Sequence, residues 1–441
     1  MAPSPTGYLH VGNARTFLYN WYFARKRGGH VLLRIEDTDA ERHIEDAVDV
    51  IREGLRWLGV DWDDETRQSG HRAQHDAAVQ QLVAGGHTYW CECVRDDVDA
   101  RNKAAGRPPG YDGFCRDRGL ESGPGRALRF RTPDDGAITV PDVVRGNPSF
   151  DAKTIEDFVV ARADGSPLFL LANVVDDGDA GITHVIRGDD HLSNAPKQLL
   201  LWEALDYGEP PTYAHLPMMV NDKRQKLSKR RDPVVVAEYR EKGYLPEAMA
   251  NYLSLVGWGP SSGRERLTLA EMVEEFALED VSSSPGFFDV KKLTAFNGDS
   301  IRALPPEDFV VAVTPYLPAE TDMTVFRALA PEVQTRVAML DEAWSLVRFA
   351  FEDPTPKAES FKAGAADVLD GAVGVFESCE WKADDIDAAL RGWGDAAGLK
   401  VQAPVRMAIS GESKGLPLGV MVEVLGRERA VARLRAARAI L

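Results

Sequence analysis

The chain has 441 residues, 44% of them hydrophobic, and a formal net charge of −17. That length implies about three domains, each able to bury a core, while the acidic balance excludes broad affinity for nucleic acid and leaves only recognition through local basic patches. No apolar run reaches the roughly 18 residues of a membrane span and the Pro/Ser-rich start does not read as a signal peptide, so a cytoplasmic protein is expected.

The N-terminal stretch Ala2-Pro3-Ser4-Pro5-Thr6-Gly7 leads through Tyr8 and Leu9 into His10-Val11-Gly12. Residues 11–27 predict a helix: Val11, Ala14, Leu18, Trp21 and Tyr22 fall at helical spacing, and Gly28 suits the stop. Residues 30–35 predict a buried strand ending in Glu36-Asp37-Thr38-Asp39. A second amphipathic helix follows, with Ile44, Val48, Ile51, Leu55 and Leu58 on one face. Alternation of this kind predicts a parallel α/β sheet, whose ligands lie beyond the carboxyl ends of its strands. The segments 7–12 and 36–39 are loops of that type. Gly/Pro-rich loops and short segments then interrupt the pattern over about 80–168, which reads as an inserted domain. Strand-like sequence resumes at 168–176, 183–187 and 216–220, the last leading into Lys226-Leu227-Ser228-Lys229-Arg230. From about residue 238 the chain turns helical and Ala-rich to its end. Of four cysteines, Cys91, Cys93 and Cys115 cluster and Cys379 stands alone, which suits a metal site better than a disulfide framework.

A helix N-terminus offers free N–H groups and a positive dipole end to phosphate. Gly12 lets a ring or phosphate approach the backbone, and the His10 imidazole can bond phosphate oxygens. Lys226 and Lys229, with Ser228 between them, can follow the phosphates of a triphosphate, and preorganised charge of this kind is worth ~10²–10³ in rate per donor. Either motif alone is an ordinary loop; the pair is the informative signal. GxxxxGK[ST] and HExxH are absent, which excludes a P-loop NTPase and a zincin.

These two motifs resemble the signatures of class I aminoacyl-tRNA synthetases, and words along nearly the whole chain resemble the bacterial glutamyl-tRNA synthetases. They are Arg34-Ile35-Glu36-Asp37-Thr38-Asp39, Asn173-Val174-Val175-Asp176-Asp177, Thr183-His184-Val185-Ile186-Arg187, Asp189-Asp190-His191, Gly243-Tyr244-Leu245-Pro246-Glu247-Ala248, Pro404-Val405-Arg406-Met407-Ala408 and Gly426-Arg427-Glu428-Arg429-Ala430. A glutaminyl enzyme would end in β-barrels, and the glutamyl-queuosine relative near residue 300. The resemblance implies an α/β Rossmann-type parallel-sheet catalytic domain (1–80 and 169–237) with an acceptor-end-binding domain inserted at 81–168. A stem-contact domain (238–303) and an all-α anticodon-binding region (304–441) would follow. It implies a monomeric glutamate–tRNA ligase that activates L-glutamate with ATP and Mg²⁺ to glutamyl-adenylate and transfers it to the 3′ end of tRNA-Glu, with no membrane partner.

By motif match His10, Lys226 and Lys229 would be catalytic. Gly12, Met218, Met219 and Ser228 would join them in binding ATP, the two methionine side chains filling core more than reading adenine. Glutamate would meet Arg187 at a carboxylate, Glu36 at its ammonium, and hydrogen bonds from Ser4 and Asn173. Phe169 stands where many relatives carry tyrosine, a change of about 0.5–1.5 kcal/mol for one lost hydroxyl bond. The alternative for Arg187 is an ion pair with Asp189 or Asp190. Cys91, Cys93, Cys115 and Asp117 resemble the zinc site of some bacterial members, with Asp117 in place of a common histidine; a carboxylate can ligate zinc. The alternative there is buried thiols and a helix-capping Asp117. The arginines at 427, 429, 433, 435 and 438 read equally as an RNA-contacting patch or as a solvated helix face. The family carries an apolar strand and a glutamate-binding arginine before the Ala-Pro-Ser-Pro-Thr-Gly word, so a start codon upstream of Met1 is expected. Rival readings are a small-molecule adenylyltransferase, which would lack the long helical end, and an RNA-binding protein without catalysis. Whether tRNA-Gln is also charged stays open.

Overall fold

Helix α1 (Val11–Lys26) begins where His10 closes the extended N-terminal chain. The His10 Nδ1 accepts the Gly12 N–H at 3.0 Å, which satisfies one of the donors a helix start leaves free. Val11, Ala14, Leu18 and Tyr22 are fully buried, as their spacing predicts. Arg15, Tyr19 and Phe23 are buried too, so the helix is enclosed on most sides. Gly28, just past its end, takes a φ of 60°, open to glycine at no steric cost.

The computed structural model describes residues 1–5, 7–37, 45–228 and 230–441. Thr6, Thr38, Asp39, Ile44 and Lys229 lie outside them. The chain divides into one unit of Met1–Ala237 with Met249–Asp289 and a second of Glu238–Ala248 with Val290–Leu441. The segment 238–303 therefore divides between the two.

In the first unit, β1 (Leu32–Ile35) pairs in parallel with β2 (Asp64–Arg67) across α2 (Glu45–Trp57), which buries Val48, Ile51 and Leu55. Residues 1–3 run beside β1 in the same direction: Arg34 and Glu36 donate their N–H groups to the carbonyls of Met1 and Pro3. After α3 (Arg72–Ala84) comes an antiparallel sheet of β3 (Thr88–Cys91), β4 (Ala127–Phe130) and β7 (Val159–Ala161). The helix α4 (Arg95–Ala104) and the hairpin of β5 (Ala137–Thr139) and β6 (Ser149–Asp151) lie within that stretch. The parallel pattern returns with β8 (His184–Gly188) against β9 (Thr212–Leu216), and β10 (Met219–Val220) against β11 (Gly286–Phe287).

Two expected strands differ from what forms. Residues 168–176 are helical, in α5 (Phe169–Asp179), followed after β8 by α6 (Ala195–Ala204). Leu171, Ala172, Asn173, Val174, Val175 and Asp176 are all buried, since α5 packs in one core with Phe130, Phe158 and Val160 of the insertion and with Leu201 and Trp202 of α6. A helix covered all round presents an unbroken apolar run that periodicity cannot tell from a buried strand. The expected strand at 216–220 is split at Pro217, which lacks a ladder donor, into the end of β9 and the two-residue β10.

The second unit is helical around one core, with Phe309, Phe326, Phe376, Leu390, Val405, Val422 and Leu434 fully buried. Its last helix, Arg427–Ala439, does not present its arginines to solvent as a set. Arg433 is 6% exposed and donates to the carbonyls of Phe349, Ile409 and Glu352 and to Asp353. Arg427 holds the carbonyls of Glu377 and Cys379, Arg429 that of Ala350, and Arg435 and Arg438 pair with Glu377 and Asp370. Arg433 staples the helix into its own unit, while the side chains of Arg429, Arg435 and Arg438 stay 42–64% exposed. Arg433→Met should lower the free energy of unfolding by about 2–3 kcal/mol, because it strands buried carbonyls, whereas Arg438→Met should change it by under about 0.5 kcal/mol; urea denaturation of the two variants checks this.

Candidate active site

His10 and the lysine loop are joined by main-chain bonds. Val11 donates to the Val234 carbonyl at 2.8 Å and Val236 to the Leu9 carbonyl at 3.0 Å, so residues 9–11 and 234–236 form a short antiparallel ladder. Beside it lies a cavity of about 250 Å³ lined by Ser4, Gly7, His10, Asn13 and Val234. The buried Arg15 of α1 donates to the carbonyls of Pro217 and Val256 at 2.5 and 3.1 Å, tying the helix to the β9–β10 turn.

Because Nδ1 of His10 accepts the Gly12 N–H, the ring proton sits on Nε2, which is left as a donor. Burial first, and the nearby Lys226 ammonium second, hold the His10 pKa below its ordinary value. A Cβ on Gly12 would stand 3.2 Å from Nδ1, so the glycine leaves room for the imidazole.

The loop carrying Lys226 is shaped from within. The Asn221 Oδ1 accepts the N–H groups of Lys223 and Gln225, and Leu227 donates to the Met219 carbonyl. Asp232 accepts the Ser228 N–H at 2.9 Å, and Arg231 reaches the Ser228 hydroxyl. The Lys226 ammonium pairs with Asp190 at 3.2 Å, both side chains being more than half exposed, a contact weak enough to yield to a phosphate. Met219 is buried, as expected of a core filler, but Met218 is 37% exposed and is not. The turn after Pro217 puts these successive residues on opposite sides.

A second group of residues gathers at the carboxyl ends of β1 and β8. Ser4 lies 3.5 Å from Glu36. Arg34 links Glu36 at 3.4 Å, Asp177 at 2.6 Å and Asp176 at 3.6 Å. Burial pushes the Glu36 carboxyl up, against the pull of Arg34. Asn173 accepts from Gln68 at 2.9 Å, and the same amide donates to Asp176. Phe169, 38% exposed, has its ring 6.0 Å from that of His191.

Arg187 is largely buried and has no carboxylate within 4 Å among the described residues. It donates through Nε to His215 Nε2 at 3.1 Å and through Nη2 to Gln198 at 2.7 Å and the His191 carbonyl at 3.4 Å. The alternative partners are taken: Asp189 pairs with Arg145 and Asp190 with Lys226. Burial lowers its pKa, opposed by Tyr213, Asp177 and Glu36. A buried guanidinium without a carboxylate is suited to receive one.

Cys91, Cys93 and Cys115 bring three sulfur atoms within 4.8 Å of one another, with Cys93 and Cys115 3.4 Å apart. Asp117 is not with them. Its side chain is 81% exposed and pairs with Arg131, and it caps no helix. The oxygen at the thiols is the Tyr111 hydroxyl, 3.5 Å from the Cys91 sulfur. Guanidinium groups of Arg101 and Arg118 also face Cys93 and Cys115 at 3.3 and 3.5 Å. His71, His75 and Asp176 form another close group, but both rings bond one carboxylate oxygen directly, at 2.9 and 2.7 Å. The Arg34 guanidinium 3.6 Å from Asp176 disfavours a cation there.

Residues 1–295 match the family model for class I tRNA synthetase catalytic domains of the glutamate and glutamine kind, and residues 308–438 match an anticodon-binding domain. Fold and site together define a class I tRNA synthetase. Curated glutamate–tRNA ligases of Salinispora arenicola and Frankia casuarinae are each 51% identical, over 99% of this chain and 98% and 97% of theirs. A crystal structure of a glutamate tRNA ligase from Elizabethkingia meningosepticum in complex with its amino acid superposes with a TM-score of 0.89 at 29% identity, covering 100% of this chain and 98% of that one. The chain belongs to the glutamate–tRNA ligase family.

Sequence reasoning did not single out Arg34, Gln68, Asp142, Asp176 and His215, which the structure gathers around Glu36, Asn173 and Arg187. Arg34 and Asp176 stood inside quoted words, whereas Asp142 and His215 carry no local signal. At pH 7 imidazole ¹H–¹⁵N spectra should show His10 neutral, with its proton on Nε2. With its pKa held below the ordinary value, the neutral ring favours the folded state above that value, and this contribution is lost as pH falls; a His10 cation at pH 7 would contradict the geometry.

Proposed function

We propose that this chain is a glutamate–tRNA ligase in which Arg187 receives a carboxylate of L-glutamate. The observation that carries the reading is the buried guanidinium held by neutral groups at the carboxyl end of β8, facing Glu36 and Asp177 across the site. Glu36, with Ser4 beside it, takes the substrate ammonium, whose charge draws the buried carboxyl into its ionised form. Asn173 adds a hydrogen bond, and Phe169 forms a wall.

The other carboxylate of glutamate attacks the α-phosphorus of Mg-ATP. Pyrophosphate leaves as the phosphorus–oxygen bond to it breaks, and glutamyl-adenylate forms. His10 donates Nε2–H to phosphate oxygens, and Gly12 lets the nucleotide approach the start of α1. Lys226, released from Asp190, follows the charge that builds on the phosphates, with Lys229 and Ser228 on the same loop; Met218 and Met219 line the adenine side. The terminal ribose hydroxyl of tRNA-Glu then attacks the activated carbonyl, and AMP leaves. No helix is long and apolar enough to cross a membrane among the described residues. The protein works as a monomer.

ATP–pyrophosphate exchange tests the reading. It should require both L-glutamate and tRNA and should not run with glutamine. Arg187→Ala should raise KM for glutamate by about tenfold to hundredfold, and Lys226→Ala should lower kcat by about 10²–10³. Exchange indifferent to glutamate, or untouched by Arg187→Ala, would refute it.

The three thiols fit a zinc ion: the sulfur atoms already converge, and two guanidinium groups offset thiolate charge. Such an ion would tie β3 to the loop at Cys115, a structural role. Metal analysis should find one zinc per chain, lost in Cys115→Ser and retained in Asp117→Ala.

A further inference from the structure

The guanidinium of Arg187 is aimed by a chain of two buried groups that starts in the inserted segment. Asp142 and His215 are both fully buried, and the carboxylate oxygen lies 2.5 Å from His215 Nδ1. Asp142 also accepts the N–H groups of Val144 and Arg145 through its other oxygen, at 2.9 and 2.8 Å, so it acts as an ionised acceptor. The ring proton of His215 must then sit on Nδ1. Its Nε2 lone pair is turned to the Nε–H of Arg187, 3.1 Å away. Tyr213 stacks on the imidazole at 5.6 Å with planes 6° apart, and the Arg187 guanidinium lies 5.4 Å from the same Tyr213 ring. Main-chain bonds from Tyr213 to Pro141 and from Val143 to Tyr213 fix the Asp142 segment alongside β9. With Nε and Nη2 occupied, Arg187 keeps Nη1 without a partner among the described residues.

We propose that Asp142 and His215 are positioning residues for glutamate recognition: Asp142 fixes the His215 tautomer, and the His215 lone pair orients Arg187 so that its open edge meets the substrate carboxylate. This rests on the reading of Arg187 given above. A ring proton on Nε2, by tautomer exchange or by protonation, would set two donors against each other across 3.1 Å and turn the fork away. The charged and titratable groups facing His215 are Asp142, Arg187, Arg145, Tyr213 and His191, with Asp189 paired to Arg145.

Steady-state kinetics of the full-length enzyme with tRNA test the idea through two variants. Asp142→Asn releases the tautomer while keeping the size of the side chain. It should raise KM for glutamate about tenfold or more, with kcat and KM for ATP changed by less than about threefold. Arg187→Lys is the control for the underlying reading. If it leaves the glutamate KM unchanged, the assignment of Arg187 fails. If it raises KM while Asp142→Asn does not, the positioning role alone is overturned. Should Asp142→Asn fail to fold, imidazole ¹H–¹⁵N spectra of the wild type decide: the Nδ1–H tautomer at His215 supports the proposal, and an Nε2–H tautomer overturns it.

Discussion

The two main-chain hydrogen bonds between residues 9–11 and 234–236 are the constraint on which the site depends. They join segments more than two hundred residues apart, and each segment alone is only a loop. His10 caps α1 through Nδ1 and keeps Nε2 as a donor, while Lys226 on the lysine loop stays exposed. Pairing the backbone just after the loop fixes its base and leaves Lys226 exposed. Arg15 adds a second tie by holding the Pro217 carbonyl, so the β9–β10 turn and α1 hold one position. Burying an arginine for two carbonyls is an expensive way to join elements unless the geometry has to be kept.

The cluster at the carboxyl ends of β1 and β8 is built on the opposite principle. Charges there are concentrated and nearly all paired: Arg34 with Glu36, Asp176 and Asp177, and Asp176 in turn with Gln68, His71 and His75. In that crowded field Arg187 is the exception, satisfied by neutral acceptors. An ion pair would have quenched it, and Arg145 and Lys226 prevent this by engaging the two acidic residues close in sequence.

How far the sequence foretold this depends on whether the signal was local. The α1 helix, β1 and β8 were legible because their periodicity or apolar runs match one environment, and the two signature words lie on segments that the fold joins. Helix α5 was not, because burial by the insertion on one side and α6 on the other erased its amphipathic stripe. Asp117 follows Cys115 with the spacing of a ligand but turns outward to Arg131, which stands just past β4. The Asp142–His215 couple spans 73 residues and depends on how the insertion lies along β9, which no window of sequence contains.

The last helix carries a consequence for encounter with a polyanion. Of the row of arginines there, Arg433 is buried among carbonyls, while Arg429, Arg435 and Arg438 pair with carboxylates of their own unit and stay open to solvent. Among the described residues, the exposed cations of the lysine loop are Lys223, Arg224, Lys226, Arg230 and Arg231. With a net charge of −17 the molecule repels RNA in most orientations and attracts it in few. The field therefore works as a filter on collisions: wrongly turned approaches are deflected before contact, and selectivity begins at distances of about a Debye length, near 8 Å at physiological ionic strength.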